Sequence, residues 1–298
     1  MLGIGRDGSN SAPLFQWGLI GFELRCALKS RGFFLAVTVG CVLAIASAIA
    51  NGVIYERIRG YVAAYGMAKN YGLVDHNAFS YWIVADYRQP WSGLFFVLVP
   101  LLCVLPYAWS LCNGSGREQF RQLCIRQPRR TALAARGLAS FLSGGLAVVI
   151  PLTISFVACL CVVPATLPSA RSGFFLNLAI QPFTPFAGLY FNAPWLFVVC
   201  WLGVDFILGG VWALTVLSFS AFLHSKLMVV AGSFLLQLAV RFFAGISPVS
   251  AWFYDIGSLS KVSLAVDPPT VEQLVGTVMA CLVVSVSLLV FSVRRDQV

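Results

Sequence analysis

Long apolar runs alternate with short polar stretches along this chain, and the length of the runs is the first constraint on its fold. The run from Phe33 to Ile54 carries no charge, and at ~1.5 Å per helical residue it is long enough for a hydrocarbon core of ~30 Å. Comparable runs at 93–111, 138–163, 195–222, 227–244 and 271–293 predict five further spans. The link His224, Ser225 and Lys226 is so short that the fourth and fifth spans form a helical hairpin. Before the first span, residues 14–31 mix Phe15, Trp17, Phe22 and Leu28 with Glu23, Arg25, Lys29 and Arg31. That mixture predicts a helix lying at the membrane surface with its basic groups among the headgroups. Between Pro164 and Pro194 the apolar pieces, such as Phe174 to Ile180, are too short to cross and read as interfacial or re-entrant. The predicted fold class is therefore all-α: a polytopic membrane helix bundle with six transmembrane helices and an N-terminal interfacial helix, in a single domain over residues 1–298.

The polar stretches orient this bundle. Residues 113–137 hold Arg117, Arg121, Arg126, Arg129, Arg130 and Arg136 against the one acid Glu118. Clustered arginine between two spans marks the cytoplasmic side, and six spans then put both termini there as well. Segments 55–92 and 245–270 become extracytoplasmic. The first of these holds Tyr61, Phe79, Tyr81, Trp82 and Trp91, rings that suit a loop folded over the outer membrane surface. Its His76 reads as a solvated side chain. Within the basic stretch, Phe120, Leu123 and Cys124 share a face at helical spacing, and Pro128 ends that short amphipathic helix before Thr131 caps the next.

Composition agrees with the membrane reading: 59% of the 298 residues are hydrophobic and 10% are charged, against the roughly 25% charged content of soluble domains. The net charge of +9 sits at the ends of apolar runs, which points to anionic headgroups and a cytoplasmic partner and away from nucleic acid. The nine cysteines show no C-x-x-C spacing and read as small buried hydrophobes, with no disulfide or metal role. No cleavable signal peptide is apparent, and the G-x-G-x-x-G at Gly3, Gly5 and Gly8 lacks the strand and helix that a dinucleotide site needs. The sequence has no G-x-S-x-G, no H-E-x-x-H and no phosphate-binding loop, so neither catalysis nor a bound cofactor is expected, and any ATP is handled by another chain. Asp205 and Arg241 lie within predicted spans. Charge at that depth is costly unless paired or facing water, so the two are expected either to meet across the hairpin or, for Asp205, to face a polar route.

The architecture resembles the membrane (permease) subunits of type-2 ABC exporters, in which a surface elbow helix precedes six spans and the ATPase is separate. The likeness is sharpest in R-E-x-F-R-x-L-x-x-x-x-P-x-R, from Arg117 to Arg130, which is similar to that family's coupling segment after the second span. The family's Gly-Thr pair is absent, and the spacing from Glu118 to Pro128 differs. A second likeness is Gly209 to Leu223, a glycine-led span ending in small residues and serines. The resemblance implies that Arg117, Glu118, Phe120, Arg121, Leu123, Pro128 and Arg130 form a coupling segment seated in a groove of an ABC ATPase subunit. It also implies a second permease copy, identical or a sister chain, in a bacterial cell membrane. The alternative is a secondary transporter or a non-transporting accessory protein that uses Asp205.

Overall fold

The computed structural model describes residues 12–64, 76–86, 89–112, 118, 122, 125, 128–168, 184–246, 255–262 and 270–295. Every element among them is helical: α1 (Ala12–Leu28), α2 (Arg31–Ala64), α3 (Ala78–Tyr81), α4 (Pro90–Val104), α5 (Arg129–Val162), α6 (Ala187–Asn192), α7 (Pro194–Ser220), α8 (Lys226–Ile246), α9 (Ile256–Leu259) and α10 (Val271–Arg295). Five of these, α2, α5, α7, α8 and α10, are long and apolar enough to cross a membrane. The chain is a multi-pass helical membrane bundle.

The run at 93–111 folds differently from a simple span. Helix α4 is 15 residues long, which is ~22 Å and short of a ~30 Å hydrocarbon core. Pro106 explains the stop, because it brings no amide hydrogen to continue the helical ladder after Leu105, which still bonds Leu101 O. The chain continues to Cys112 in tight turns, with Ala108 N donating to Val104 O, Ser110 N to Tyr107 O and Cys112 N to Trp109 O. The carbonyls freed there find side-chain donors: Ser30 Oγ reaches Pro106 O at 2.9 Å and Trp109 Nε1 reaches Leu105 O at 3.1 Å. At this same place a Cβ on Gly32 would stand 2.2 Å from Leu105 O, so only glycine lets α2 start so close to the turn.

Helices α5 and α7 form the most extensive helix contact among the described residues. A Cβ on Gly144 would stand 2.4 Å from Ala213 Cβ, one on Gly145 2.7 Å from Phe206, and one on Gly210 2.8 Å from Phe141. Such small-residue crossings let backbones approach where apolar burial alone gives no preference for protein over lipid. Phe141 faces Gly210 while Gly145 faces Phe206, so the two helices run antiparallel. Helix α2 lies along α5 in the parallel sense, with Gly40 against Pro151 and Gly52 against Val162. Through these contacts one end of the bundle, here called basal, collects the starts of α2, α5 and α8 and the ends of α4, α7 and α10. Lys226 at the start of α8 lies 4.1 Å from the Trp109 ring centroid, and Arg129 Nη2 donates to Ser292 O at 3.4 Å.

The opposite end corrects the expectation for the long first loop. Helix α2 runs on to Ala64, carrying an exposed Glu56–Arg59 pair. Residues 76–86 do not lie over a membrane surface; all of them are buried among the helices. Asn77 Oδ1 caps α3 by accepting from Ser80 N at 2.9 Å, and Trp82 Nε1 donates to Leu152 O at 3.0 Å. Asn51 Nδ2 donates to both Tyr81 O and Asp86 Oδ2. Phe79 and Phe156 pack edge-on against Trp195, at 5.4 and 5.7 Å between centroids. His76, expected in water, is buried with its Nδ1 2.6 Å from the Tyr81 hydroxyl. The segment after α8 joins this plug, with Val262 N donating to Val84 O at 3.1 Å.

Candidate functional site

The basal end is built around a buried ion pair. Glu23 on α1 and Arg136 on α5 are each 2% exposed, with Arg136 Nε 3.2 Å from Glu23 Oε1. Arg136 Nη1 donates to Ser110 O at 3.0 Å, and the Tyr107 hydroxyl donates to Glu23 Oε2. Both carboxylate oxygens are therefore occupied, and the guanidinium spans a carboxylate and a carbonyl, the geometry that a desolvated pair needs. Three separate segments meet there: α1, the turns after α4, and the second turn of α5.

Arg136 was expected among the cytoplasmic surface arginines, and the structure corrects that. The sign of it in the sequence is periodic: Ala132, Arg136, Ser140 and Gly144 follow one another every four residues on the buried face of α5. Read together with Glu23, the single acid of residues 14–31, that small-residue face is where a buried counter-charge fits.

Of the residues expected to couple to an ATPase, Glu118, Pro128 and Arg130 are described and exposed, with Glu118 helical and Arg130 in the first turn of α5. Arg117, Phe120, Arg121 and Leu123 lie outside the described residues. Glu118, Gln122 and Ile125 are all helical and exposed, and their spacing of four and three places them on one face. Ile125 is 84% exposed. Sequence reasoning passed over it, although an isoleucine among arginines and glutamines is itself a signal of an apolar anchor.

The second polar constellation lies inside the bundle. Asp205 on α7 is fully buried. The expected meeting of Asp205 with Arg241 is not formed: the ion pair of Arg241 is with Asp255, at 3.8 Å between Nη1 and Oδ2. Asp255 stands at the start of α9, where it also caps the helix by accepting from Ser258 N. This short element is pinned deep in the protein. A Cβ on Gly257 would lie 1.9 Å from Phe96 O, and Gln237 Oε1 accepts from Ile256 N at 3.2 Å. Its position brings the Ser260 hydroxyl to face Asp205. Among the described residues neither Asp205 oxygen, nor Ser260 Oγ, nor Trp201 Nε1 one turn before Asp205, completes a hydrogen bond. Buried polar groups left in that state cost stability, which marks the place as kept for something other than packing.

Two substitutions separate these sites by their energetics. Arg136→Met strands the buried Glu23 carboxylate and is expected to cost about 3–5 kcal/mol, whereas Glu23→Leu with Arg136→Met recovers most of that loss. Unfolding of the purified chain in mixed detergent measures it, and equal loss in the single and double variants would count against the pair. Asp205→Leu removes a buried carboxyl that faces Ser260 but completes no hydrogen bond, so the unfolding midpoint is expected to rise by the equivalent of about 1–3 kcal/mol. A fall of that size would reveal a structural partner. No protein-family model, no curated protein and no solved structure matches the chain, and its functional reading rests on these two constellations.

Proposed function

We propose that this chain is the permease subunit of an ATP-binding cassette exporter in a bacterial cell membrane. It moves a hydrophobic or amphipathic substrate such as a peptide, a lipid-like compound or a drug, and the ATP is hydrolysed on separate ABC ATPase subunits. The observation that carries the reading is the basal end. An exposed helical face of Glu118, Gln122 and Ile125 precedes α5, and α5 is braced on α1 by the buried Glu23–Arg136 pair. A short helix with an apolar anchor and flanking arginines suits the groove of an acidic partner, and the bracing gives a push on that helix something rigid to act on.

On this reading the chain crosses six times, the five long apolar helices being joined by a crossing that α4 makes with the turns after it. Helix α4 and the turns after it together bring the chain back to the basal end, so α2, α4, α5, α7, α8 and α10 alternate in direction. Helix α1, locked against the starts of α2 and α5, takes the place of the interfacial elbow. The arginine-rich stretch makes the basal end cytoplasmic. The outward apolar faces of α8 and α10, with Leu235, Phe242, Val275 and Val283 exposed, suit lipid or a second permease copy. A second reading draws on the unpartnered carboxyl of Asp205: a secondary transporter, or an accessory membrane protein, in which that group handles an ion or a substrate.

Purification from the native membrane in mild detergent distinguishes them. The wild-type chain is expected to retain an ATPase subunit, and Ile125→Asp to lower the amount retained by roughly tenfold, about 1.4 kcal/mol of binding, without changing insertion. A chain that purifies alone and supports ion-driven uptake lost in Asp205→Asn would overturn the exporter reading in favour of the second.

A further inference from the structure

The exposed side of α1 and the turn into α2 carry a charge pattern that the ATPase reading does not use. Phe22, Arg25, Cys26 and Lys29 are exposed and follow the i, i+3, i+4, i+7 spacing of one helix face. Leu19, Glu23 and Ala27 form the buried face. The single acid of this region is thereby turned inward and consumed by Arg136. What remains outside is cationic: Arg25, Lys29 and, at the start of α2, Arg31, all exposed. None of the three has an ion-pair partner among the described residues.

The turn that presents them is fixed. Ser30 Oγ donates to Pro106 O, Ser30 Oγ also accepts from Phe33 N at 3.0 Å, and Gly32 is packed against the Leu105 carbonyl. Directly beside the cations lie large exposed apolar groups, Phe22 at 57%, Phe34 at 62% and Leu35 at 54% exposure. Phe34 and Leu35 open the lipid-facing side of α2. Three unpaired positive charges along a pinned turn at the head of an apolar helix face match one amphipathic molecule: an anionic headgroup on a pair of acyl chains.

We propose that Arg25, Lys29 and Arg31 form a binding site for the phosphate headgroup of an anionic phospholipid, whose acyl chains lie along Phe34 and Leu35 of α2. The site selects anionic over zwitterionic lipid because no carboxylate among the described residues of this face competes for the three cations. It rests on the reading of the basal end as the cytoplasmic membrane face, and it needs no ATPase.

The test is native mass spectrometry of the purified full chain, given equimolar phosphatidylglycerol and phosphatidylcholine with identical acyl chains. Wild type is expected to retain phosphatidylglycerol over phosphatidylcholine by at least about fivefold, and the triple variant Arg25→Gln/Lys29→Gln/Arg31→Gln to bring that ratio close to one. Lys29→Gln alone should lower it part way, which keeps the test readable should the triple variant fold poorly. Arg59→Gln, at the far end of α2, should leave the ratio unchanged. Absence of preference in wild type, an unaltered ratio in the triple variant, or an equal loss in Arg59→Gln would each overturn the proposal. Displacement of the lipid by excess inorganic phosphate would overturn it too, by making the ligand a free anion. The permease chain is measured without ATPase subunits, so loss of lipid selectivity and failure to retain an ATPase are seen separately.

Discussion

A carboxylate and a guanidinium taken out of water together hold the base of this protein. Removing either charge from water costs several kcal/mol, and the cost is offset only where every strong hydrogen-bonding direction is met. Here Glu23 is met by Arg136 and Tyr107, and Arg136 by Glu23 and the Ser110 carbonyl. These groups arrive from parts of the chain far apart in sequence, so the pair fixes how α1, the turns after α4 and α5 meet. Ser30, Gly32 and Trp109 complete the junction by answering the backbone that Pro106 leaves open. The result is a stiff platform at the start of α5, which follows the exposed helical positions Glu118, Gln122 and Ile125.

From that platform the α5–α7 crossing leads into the core. Gly144, Gly145 and Gly210 bring the two backbones into close contact, so the base of α5 and Asp205 on α7 belong to one packed unit. At the far end, the segment containing α9 sets Ser260 against Asp205, and its hydrogen bond from Val262 to Val84 ties it to the buried first loop. The polar site inside the bundle is in this way packed between the α5–α7 crossing and two inserted loops.

The spans were legible in the sequence because the hydrocarbon thickness imposes a length that no soluble helix must meet, as Phe33 to Ile54 and residues 271–293 illustrate. The α7–α8 hairpin followed from the brevity of His224 to Lys226. What stayed hidden depends on partners that are distant in sequence. An arginine in a basic stretch looks solvated until Glu23 is placed opposite Arg136. Aromatic rings suit a membrane interface and a protein core equally well, so Phe79, Tyr81 and Trp82 gave no warning that their loop turns inward; the Asn77–Ser80 cap was the better clue. Asp205 and Arg241 were paired by their nearness along a hairpin, but Arg241 found Asp255 instead. Ile125 lies off the face that Phe120, Leu123 and Cys124 define at helical spacing, so that periodicity did not single it out.

A motor-driven permease needs its basal end on the cytoplasmic face of the membrane, where the ATPase is. Intact cells expressing Ile125→Cys or Arg57→Cys in a cysteine-free background, treated with a membrane-impermeant maleimide, give the answer directly. Arg57→Cys, on the far extension of α2, is expected to label in intact cells, and Ile125→Cys only after the membrane is opened. Labelling of Ile125→Cys in intact cells would place the basal end outside, where no cytoplasmic ATPase could reach it.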